Sequence, residues 1–471
     1  MNQFMKKFFF FSAGPIGGAL ISLITIPVTT YFISPEEFGK AGVFTMVYGL
    51  LLTFSYLGLD QAYSREYHYT EDKAGLLLNA IIVPIIAGVF FFTILLIFRN
   101  EVSYWIFGDS NYYELIILLG LAMIFAVFER FLLMWIRMDE RALEYSFFSI
   151  ILKLIVLVTT ILFLLLGMRN FKVIVYSTLI GQMIGDLYLI IRYRKIFKEF
   201  KRSAISKQLI KSLLIFGFPL LISVSLNYFL NAASTFFLRF YGDFYELGIY
   251  SAGQKVANFL NIVQLSFTSF WVPLSYRWYK EKREFLNFQF VSDLLLLLAT
   301  IGFFILALTK RVIVVMLSAN YSQAQYIICF LALVPILYTL SETTTLGIVF
   351  SKKSYLNIYV SLISVITSAV LAMVLIPVWS EKGAAISIAI GYVIFFFVRT
   401  FFSKRNEFNI KITKHVLQIG LLLIVSFINS FTLQYINLFN IIFLFISLLM
   451  QIGTFKQLID IKKNPYKYNL S

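Results

Sequence analysis

Fourteen apolar stretches, most of them long enough to cross about 30 Å of hydrocarbon as a helix, recur along this chain. They run over 8–33, 41–60, 76–98, 114–136, 143–167, 173–191, 212–238, 247–273, 288–309, 324–350, 355–377, 383–402, 415–434 and 438–455. Within lipid every backbone amide has to be paired inside the chain, so only helices or closed barrels can span. Long runs without polar alternation select the helix. The expected fold class is an all-α polytopic membrane protein with about 14 transmembrane helices. Only 14% of residues are charged, against about 25% in soluble domains. The first run is too long for a signal-peptide core and has no obvious small-x-small cleavage site, so it reads as a retained span.

The net charge of +16 is explained by where the basic residues fall. With the N-terminus inside, 29 of the 40 Lys and Arg lie in cytoplasmic segments, 8 on the opposite side, and Arg130, Lys153 and Lys255 inside spans. This bias predicts cytoplasmic N- and C-termini. The basic loops then orient the protein and touch anionic lipid, and no nucleic-acid partner is needed. Cys329 is the only cysteine, and the only histidines are His68 and His415, so no disulfide or metal centre is expected. There is no GxxxxGK[ST] sequence for binding ATP. The longest external connections, 99–113 and 310–323, carry only Glu101 and Asp109 as acids. They are too short for the external active site of a membrane glycosyltransferase or polymerase, and the chain is not expected to be an enzyme.

Two halves recur. Gly39 and Gly248 are 209 residues apart, as are the pairs Asn111-Tyr112 and Asn320-Tyr321. Gly181 and Gly391 differ by 210, and Leu143 and Leu356 by 213. Near-constant offsets argue for an internal repeat. Six spans per copy give both copies one orientation, hence a pseudo-twofold axis along the membrane normal. The expected division is an N-lobe, 1–202, with helices 1–6; a C-lobe, 203–405, with helices 7–12; and 406–471, with helices 13–14 and a basic tail at 461–467.

Polar residues line particular helix faces. Span 7 carries Ser223, Asn227, Asn231 and Ser234 at helical spacing, and span 8 carries Gln254, Asn258 and Asn261 beside Lys255. Span 1 has Ser22, Thr25 and Thr29, and span 2 has Thr45 and Tyr48. These residues predict a hydrated cavity lined by spans 1, 2, 7 and 8; the competing reading is hydrogen bonding between helices. Hydroxyls of span 1 can also bond back to their own helix. A lysine within a span costs about 2.5–3.5 kcal/mol on insertion scales, so Lys255 is expected to face water or an anion. Glu129, Arg130 and Glu342 are candidates for ion coupling or for charge pairing, and Glu129 and Glu342 differ by 213. Lys153 and Asp186 lie near span ends and are expected to snorkel. Pro15 and Pro219 open the first helix of each lobe, where a kink could act as a hinge.

The turns PEEFG (35–39) and GDFYELGIYS (242–251), the external Asn-Tyr turn at 320–321, and two six-helix lobes plus two helices resemble the polysaccharide transport branch of the MOP flippase superfamily. The resemblance covers about residues 1–405. It implies a Wzx-type flippase that moves an undecaprenyl-diphosphate-linked oligosaccharide unit, of O-antigen (lipopolysaccharide) or capsule type, across the bacterial inner membrane. The movement is from the cytoplasmic to the outer leaflet by alternating access, coupled to H+ or Na+, with no cofactor. Lys255 matches the basic position after the Tyr-Ser of span 8 and would hold the diphosphate. Asn227, Asn231, Gln254, Asn258, Asn261 and Tyr48 would line the cavity for the sugar. The implied partners are that substrate, membrane lipids and other polysaccharide assembly proteins, with the protein acting as a monomer. Peptidoglycan-precursor flippases of the superfamily carry arginines in their first two spans, and this chain has none there. The alternative is an ion-coupled drug or lipid exporter of the same superfamily.

Overall fold

The computed structural model describes residues 3–200 and 205–463, with the side chains of 13–200 and 205–460. The described residues form helices and turns, with no strand. Contacts divide the chain into two compact units, Met1–Thr235 and Phe236–Ser471. Unit 1 contains α1 (Gln3–Phe32), α2 (Pro35–Tyr56), α3 (Leu59–Glu66), α4 (Lys73–Ile97), α5 (Arg99–Phe107), α6 (Tyr113–Met138), α7 (Ala142–Leu165), α8 (Lys172–Arg192), α9 (Arg194–Glu199) and most of α10 (Lys207–Tyr241). Unit 2 contains α11 (Phe244–Ala257), α12 (Asn261–Lys280), α13 (Phe285–Leu317), α14 (Ile328–Thr344), α15 (Leu346–Phe350), α16 (Leu356–Arg405), α17 (Thr413–Ile428), α18 (Ile436–Met450) and α19 (Ile452–Lys463). The division falls inside α10, within the seventh apolar stretch. Of the basic tail at 461–467, only the helical backbone to Lys463 is described; the rest lies outside the described residues.

Every apolar stretch lies mostly on helix, but fewer than fourteen helices pass as single spans. Among the described residues nine are long and apolar enough to cross a membrane, or eleven if two bent pairs each count as one. The physical reasons are local. Stretches 355–377 and 383–402 run together in α16, across a break at Ser380 (φ 47°, ψ −124°). Stretch 247–273 is interrupted by a 3-10 turn at Asn258–Leu260. In α17 there are only 16 residues, about 24 Å of helix. The last two stretches are separate helices whose facing Asn429 and Asn440 amides bond to each other at 2.7 and 3.2 Å.

The two acidic turns are helix caps. Ser34 caps α2, with Pro35 in the first turn, where a missing N–H costs nothing. Asp243 caps α11 in a reciprocal box with Glu246: the Glu246 amide donates to Asp243 at 2.8 Å and the Asp243 amide donates to Glu246 at 3.2 Å. Glu37 also accepts from the Phe171 amide at 2.9 Å, tying the start of α2 to the start of α8.

Two glycines permit close packing in unit 1. The Gly14 amide donates to Ser146 Oγ at 3.0 Å, and a Cβ on Gly14 would meet Ser146 Cα at 2.7 Å, so α1 lies directly on α7. Gly58 (φ +70°) follows the left-handed Leu57 at the break between α2 and α3. A Cβ there would sit 2.2 Å from the Gly217 carbonyl oxygen of α10. This break turns the chain so that Asp60, on the first turn of α3, is buried against α6.

Candidate functional site

Glu129 on α6 and Asp186 on α8 share one donor. The Gln182 amide nitrogen donates to Glu129 Oε2 at 2.6 Å and to Asp186 Oδ1 at 3.0 Å. The two oxygens are therefore at most 5.6 Å apart, the sum of those bonds. Two full charges at that separation repel by about 3 kcal/mol at an effective dielectric of 20. Asp186 is fully buried, and its Oδ2 has no hydrogen-bond partner. The buried Tyr48 hydroxyl on α2, also without a partner, lies within electrostatic reach of both carboxylates. Among the described residues no cation is within ion-pair distance of either acid. Lys153 on α7 and Arg130 act on Glu129 from farther away.

Arg130, next to Glu129 in sequence, turns to another partner. Its Nε and Nη2 both donate to Asp60 Oδ2, at 3.0 and 2.6 Å, and its guanidinium lies over the Tyr56 ring. Removing one partner of such a pair leaves a charge uncompensated.

The second half has the same spacing of charged residues with a different pairing. Glu342 follows Glu129 by 213 residues, and Arg399 follows Asp186 by the same 213. Arg399 Nη1 on α16 donates to Glu342 Oε1 at 2.8 Å and to Ser341 Oγ at 2.7 Å. Both residues are buried. The seam continues through Thr344 and Thr400 at 2.7 Å, and the Gly347 amide donates to Ser403 Oγ at 2.8 Å. Nearby, α13 meets α17 through Asp293 and Lys414 at 2.6 Å, and through Ser292 and His415 at 3.0 Å. One half thus holds a neutral Glu–Arg pair where the other holds two acids around an amide.

The expected cavity residues are placed as follows. Asn227 and Asn231 are half-buried on α10, and Asn231 Nδ2 donates to the Asn227 carbonyl at 2.9 Å. Gln254 and Lys255 are half-buried on α11. Asn258 and Asn261 sit at the 3-10 turn, where Asn261 Nδ2 donates to Asn258 Oδ1 at 3.1 Å. Side chains three apart eclipse in a 3-10 turn, so Asn258 and Asn261 share a face although the α-helix itself ends at Ala257. In α1, Ser22, Thr25 and Thr29 bond the carbonyls of Gly18, Ile21 and Thr25, and Thr45 of α2 bonds that of Ala41. Those hydroxyls are satisfied by their own helices.

Three expectations need correction. Asp186 does not snorkel; it is buried in the acid pair. Arg399, counted with the cytoplasmic loops, is buried against Glu342. Lys310, counted with the external loops, is buried and donates to the Asn429 carbonyl at 2.9 Å. Sequence reasoning also missed Asp60 and Gln182. Applying the 213 offset to Asp186 would have found Arg399.

Several solved structures share the fold. The chain is similar to the lipid II flippase MurJ in its inward closed conformation, with 14% identity and a TM-score of 0.72 over 95% of this chain and 99% of that one. It is also similar to an inward-facing multidrug resistance MATE family transporter of the MOP superfamily, with 17% identity and a TM-score of 0.61 over 83% of this chain and 94% of that one. An outward-facing MATE family transporter matches with 16% identity and a TM-score of 0.53, over 86% of this chain and 95% of that one. No curated protein sequence matches the chain. These structural relatives are flippases and transporters, not enzymes. The model of the polysaccharide biosynthesis protein family matches residues 4–278, more than half of the sequence, and the chain belongs to that family.

Proposed function

We propose that this protein moves an undecaprenyl-diphosphate-linked oligosaccharide, of O-antigen or capsule type, from the cytoplasmic to the outer leaflet of a bacterial inner membrane. It works by alternating access, with both termini cytoplasmic, as a monomer alongside other polysaccharide assembly proteins. The sugar-diphosphate head is charged and hydrated and does not cross hydrocarbon unaided. Lys255 supplies a cation for the diphosphate. Gln254, Asn258 and Asn261 on α11 and its following turn, and Asn227 and Asn231 on α10, supply amides for sugar hydroxyls.

The observation that carries the coupling part of the reading is the acid pair of Glu129 and Asp186. Two carboxylates that share one amide inside a membrane protein need a proton or a small cation to lie together. The unpartnered Asp186 Oδ2 is the acceptor for it. Taking up and releasing H+ or Na+ there changes the charge of α6 and α8 without changing their length. The ion gradient would act through that change.

Deletion of the gene, with extraction of lipid-linked oligosaccharides, tests the substrate. Loss of surface polymer with one lipid-linked unit accumulating inside supports the reading and identifies the unit. Normal polymer would overturn it. Complementation with Glu129→Gln and Asp186→Asn tests the coupling: normal protein level with lost export is expected, and full export from both would end the coupling argument. The shared fold with MATE transporters favours a second reading, ion-coupled export of drugs or lipids. Drug sensitivity in the deletion strain, with unchanged polysaccharide, would select it.

A further inference from the structure

At one end of unit 2, where α12, α15 and α16 stop, lies a cavity of about 570 Å³. The three helices finish in the same way. A left-handed residue follows each: Lys282 (φ 52°), Lys352 (φ 59°) and Glu407 (φ 64°). The next amide then reaches back to close the helix: Arg283 to the Trp278 carbonyl at 2.9 Å, Lys353 to that of Ile348 at 3.2 Å, and Phe408 to that of Ser403 at 3.3 Å. Lys282, Arg283, Lys353 and Arg405 line the space with one carboxylate, Glu407. Arg283 is paired with Glu281 at 2.7 Å, and Lys353 donates to Asn406 at 2.9 Å. Among the described residues no carboxylate lies within ion-pair distance of Lys282, Lys353 or Arg405.

Helix dipoles alone do not account for these cations. The last turn of α12 carries Arg277 and Lys280 and that of α16 carries Lys404 and Arg405, which complement the helix ends, whereas Lys282 and Lys353 stand beyond the helices. The corresponding loop of unit 1 gives a sharper comparison. Glu140 (φ 57°) stands 212 residues before Lys352, and the Arg141 amide closes α6 onto the Ile136 carbonyl in the same way. There the cation is neutralised: Arg141 pairs with Asp139 at 2.9 Å and Glu144 at 3.2 Å, and lies over the Trp135 ring at 4.1 Å. In the same register the positions of Asp139 and Glu144 are Ser351 and Leu356. Both counter-charges are gone from the second half, and a cavity stands beside its cations.

The cavity also has an aromatic wall. Tyr279 stacks on Phe350 at 3.9 Å, and Phe285 packs on Phe408 at 4.7 Å. Tyr279 is 55% exposed and Phe285 42%, with Tyr276 and Leu286 exposed beside them. Exposed aromatic rings next to basic residues at the ends of membrane helices mark the headgroup level.

We propose that this cavity seats the phosphate-bearing headgroup of an anionic membrane lipid. The phosphate lies among Lys282, Lys353 and Arg405, and the glycerol end rests against Tyr279 and Phe350. This site is separate from the transport residues, and it holds whether or not the transport substrate is correctly assigned.

The test is native mass spectrometry of the full chain in detergent, titrated with phosphatidylglycerol or phosphatidylcholine. Wild type should prefer phosphatidylglycerol by about tenfold or more. Lys353→Ala with Arg405→Ala should lose that preference, at about tenfold or more in affinity. Lys353→Arg with Arg405→Lys should keep it. Equal retention of the two lipids by wild type overturns the proposal, as does an alanine variant that melts and binds phosphatidylglycerol like wild type. If the alanine variant does not fold, photoactivatable phosphatidylglycerol on wild type decides instead. Crosslinks in 279–288, 350–353 or 405–408 are expected, and crosslinks only elsewhere overturn the proposal. Uridine diphosphate displacing the lipid from wild type at equal or lower concentration would overturn the lipid as the source of the phosphate.

Discussion

Asp186 and Arg399 stand at the same spacing from Glu129 and Glu342, and their side chains are of opposite charge type. Asp186 lies 57 residues after Glu129, and Arg399 lies 57 after Glu342. Each reaches its glutamate's neighbourhood, Asp186 through the Gln182 amide and Arg399 directly at 2.8 Å. The spacing recurs; the charge at the second position differs.

The first prediction exchanges the two designs. Asp186→Arg should give Glu129 a direct ion pair of the kind Glu342 already has. The variant is expected to accumulate at close to the normal level, because no buried charge is left unpaired. Export of the polysaccharide should be lost, because the site no longer changes charge. Immunoblotting and surface-polymer assay read the two separately, and normal export would count against a coupling role for Asp186.

The second concerns the Glu342–Arg399 pair. Arg399→Ala should destabilise by about 3–5 kcal/mol, since Glu342 is left buried and uncompensated. Replacing both, Glu342→Leu with Arg399→Leu, should cost clearly less than the single change. Thermal melting of the detergent-purified variants measures the difference. A double variant as unstable as the single would show that Ser341 and the neighbouring seam, not charge balance, set the cost.

The third concerns Lys255. Lys255→Ala should reduce export several-fold more than it reduces protein level, and Lys255→Arg should retain part of it. Quantified polymer per unit of membrane protein is the readout. Equal losses of polymer and protein would assign Lys255 to folding.

The fourth concerns the break between α2 and α3. Gly58→Ala is expected to destabilise by more than about 1 kcal/mol, since φ is +70° and the new Cβ would meet the Gly217 oxygen. Gly217→Ala should cost less, because its Cβ would come only to 3.1 Å of Gly58 atoms. A melting-temperature series on the two variants tests the order.

Some of this was legible in residue order alone. Apolar run length dictates helices in a membrane, because the backbone has no other way to pair its amides in lipid. The capping turns at Ser34–Pro35 and Asp243–Glu246 were visible because a cap depends on residues within one turn of each other. The 213 offset between Glu129 and Glu342 is legible because spacing is a property of residue order.

What pairs with what was not legible. Residue order leaves Arg130 free to pair with any acid on a neighbouring helix; the left-handed pair Leu57–Gly58 delivers Asp60 to it. Asp186 looked able to reach the membrane surface, yet the packing of α6 against α8 buries it beside Glu129. The 3-10 turn that ends α11 at Asn258–Leu260 has no signal in residue order. Residue order alone dictates a helical membrane protein, because span length and apolarity are local, additive properties of the chain. Which buried charges are directly paired, as Arg399 with Glu342, and which share a neutral amide, as Glu129 and Asp186, follows from the folded packing, because it depends on the helix rotations and close approaches that bring distant side chains within about 3 Å of one another.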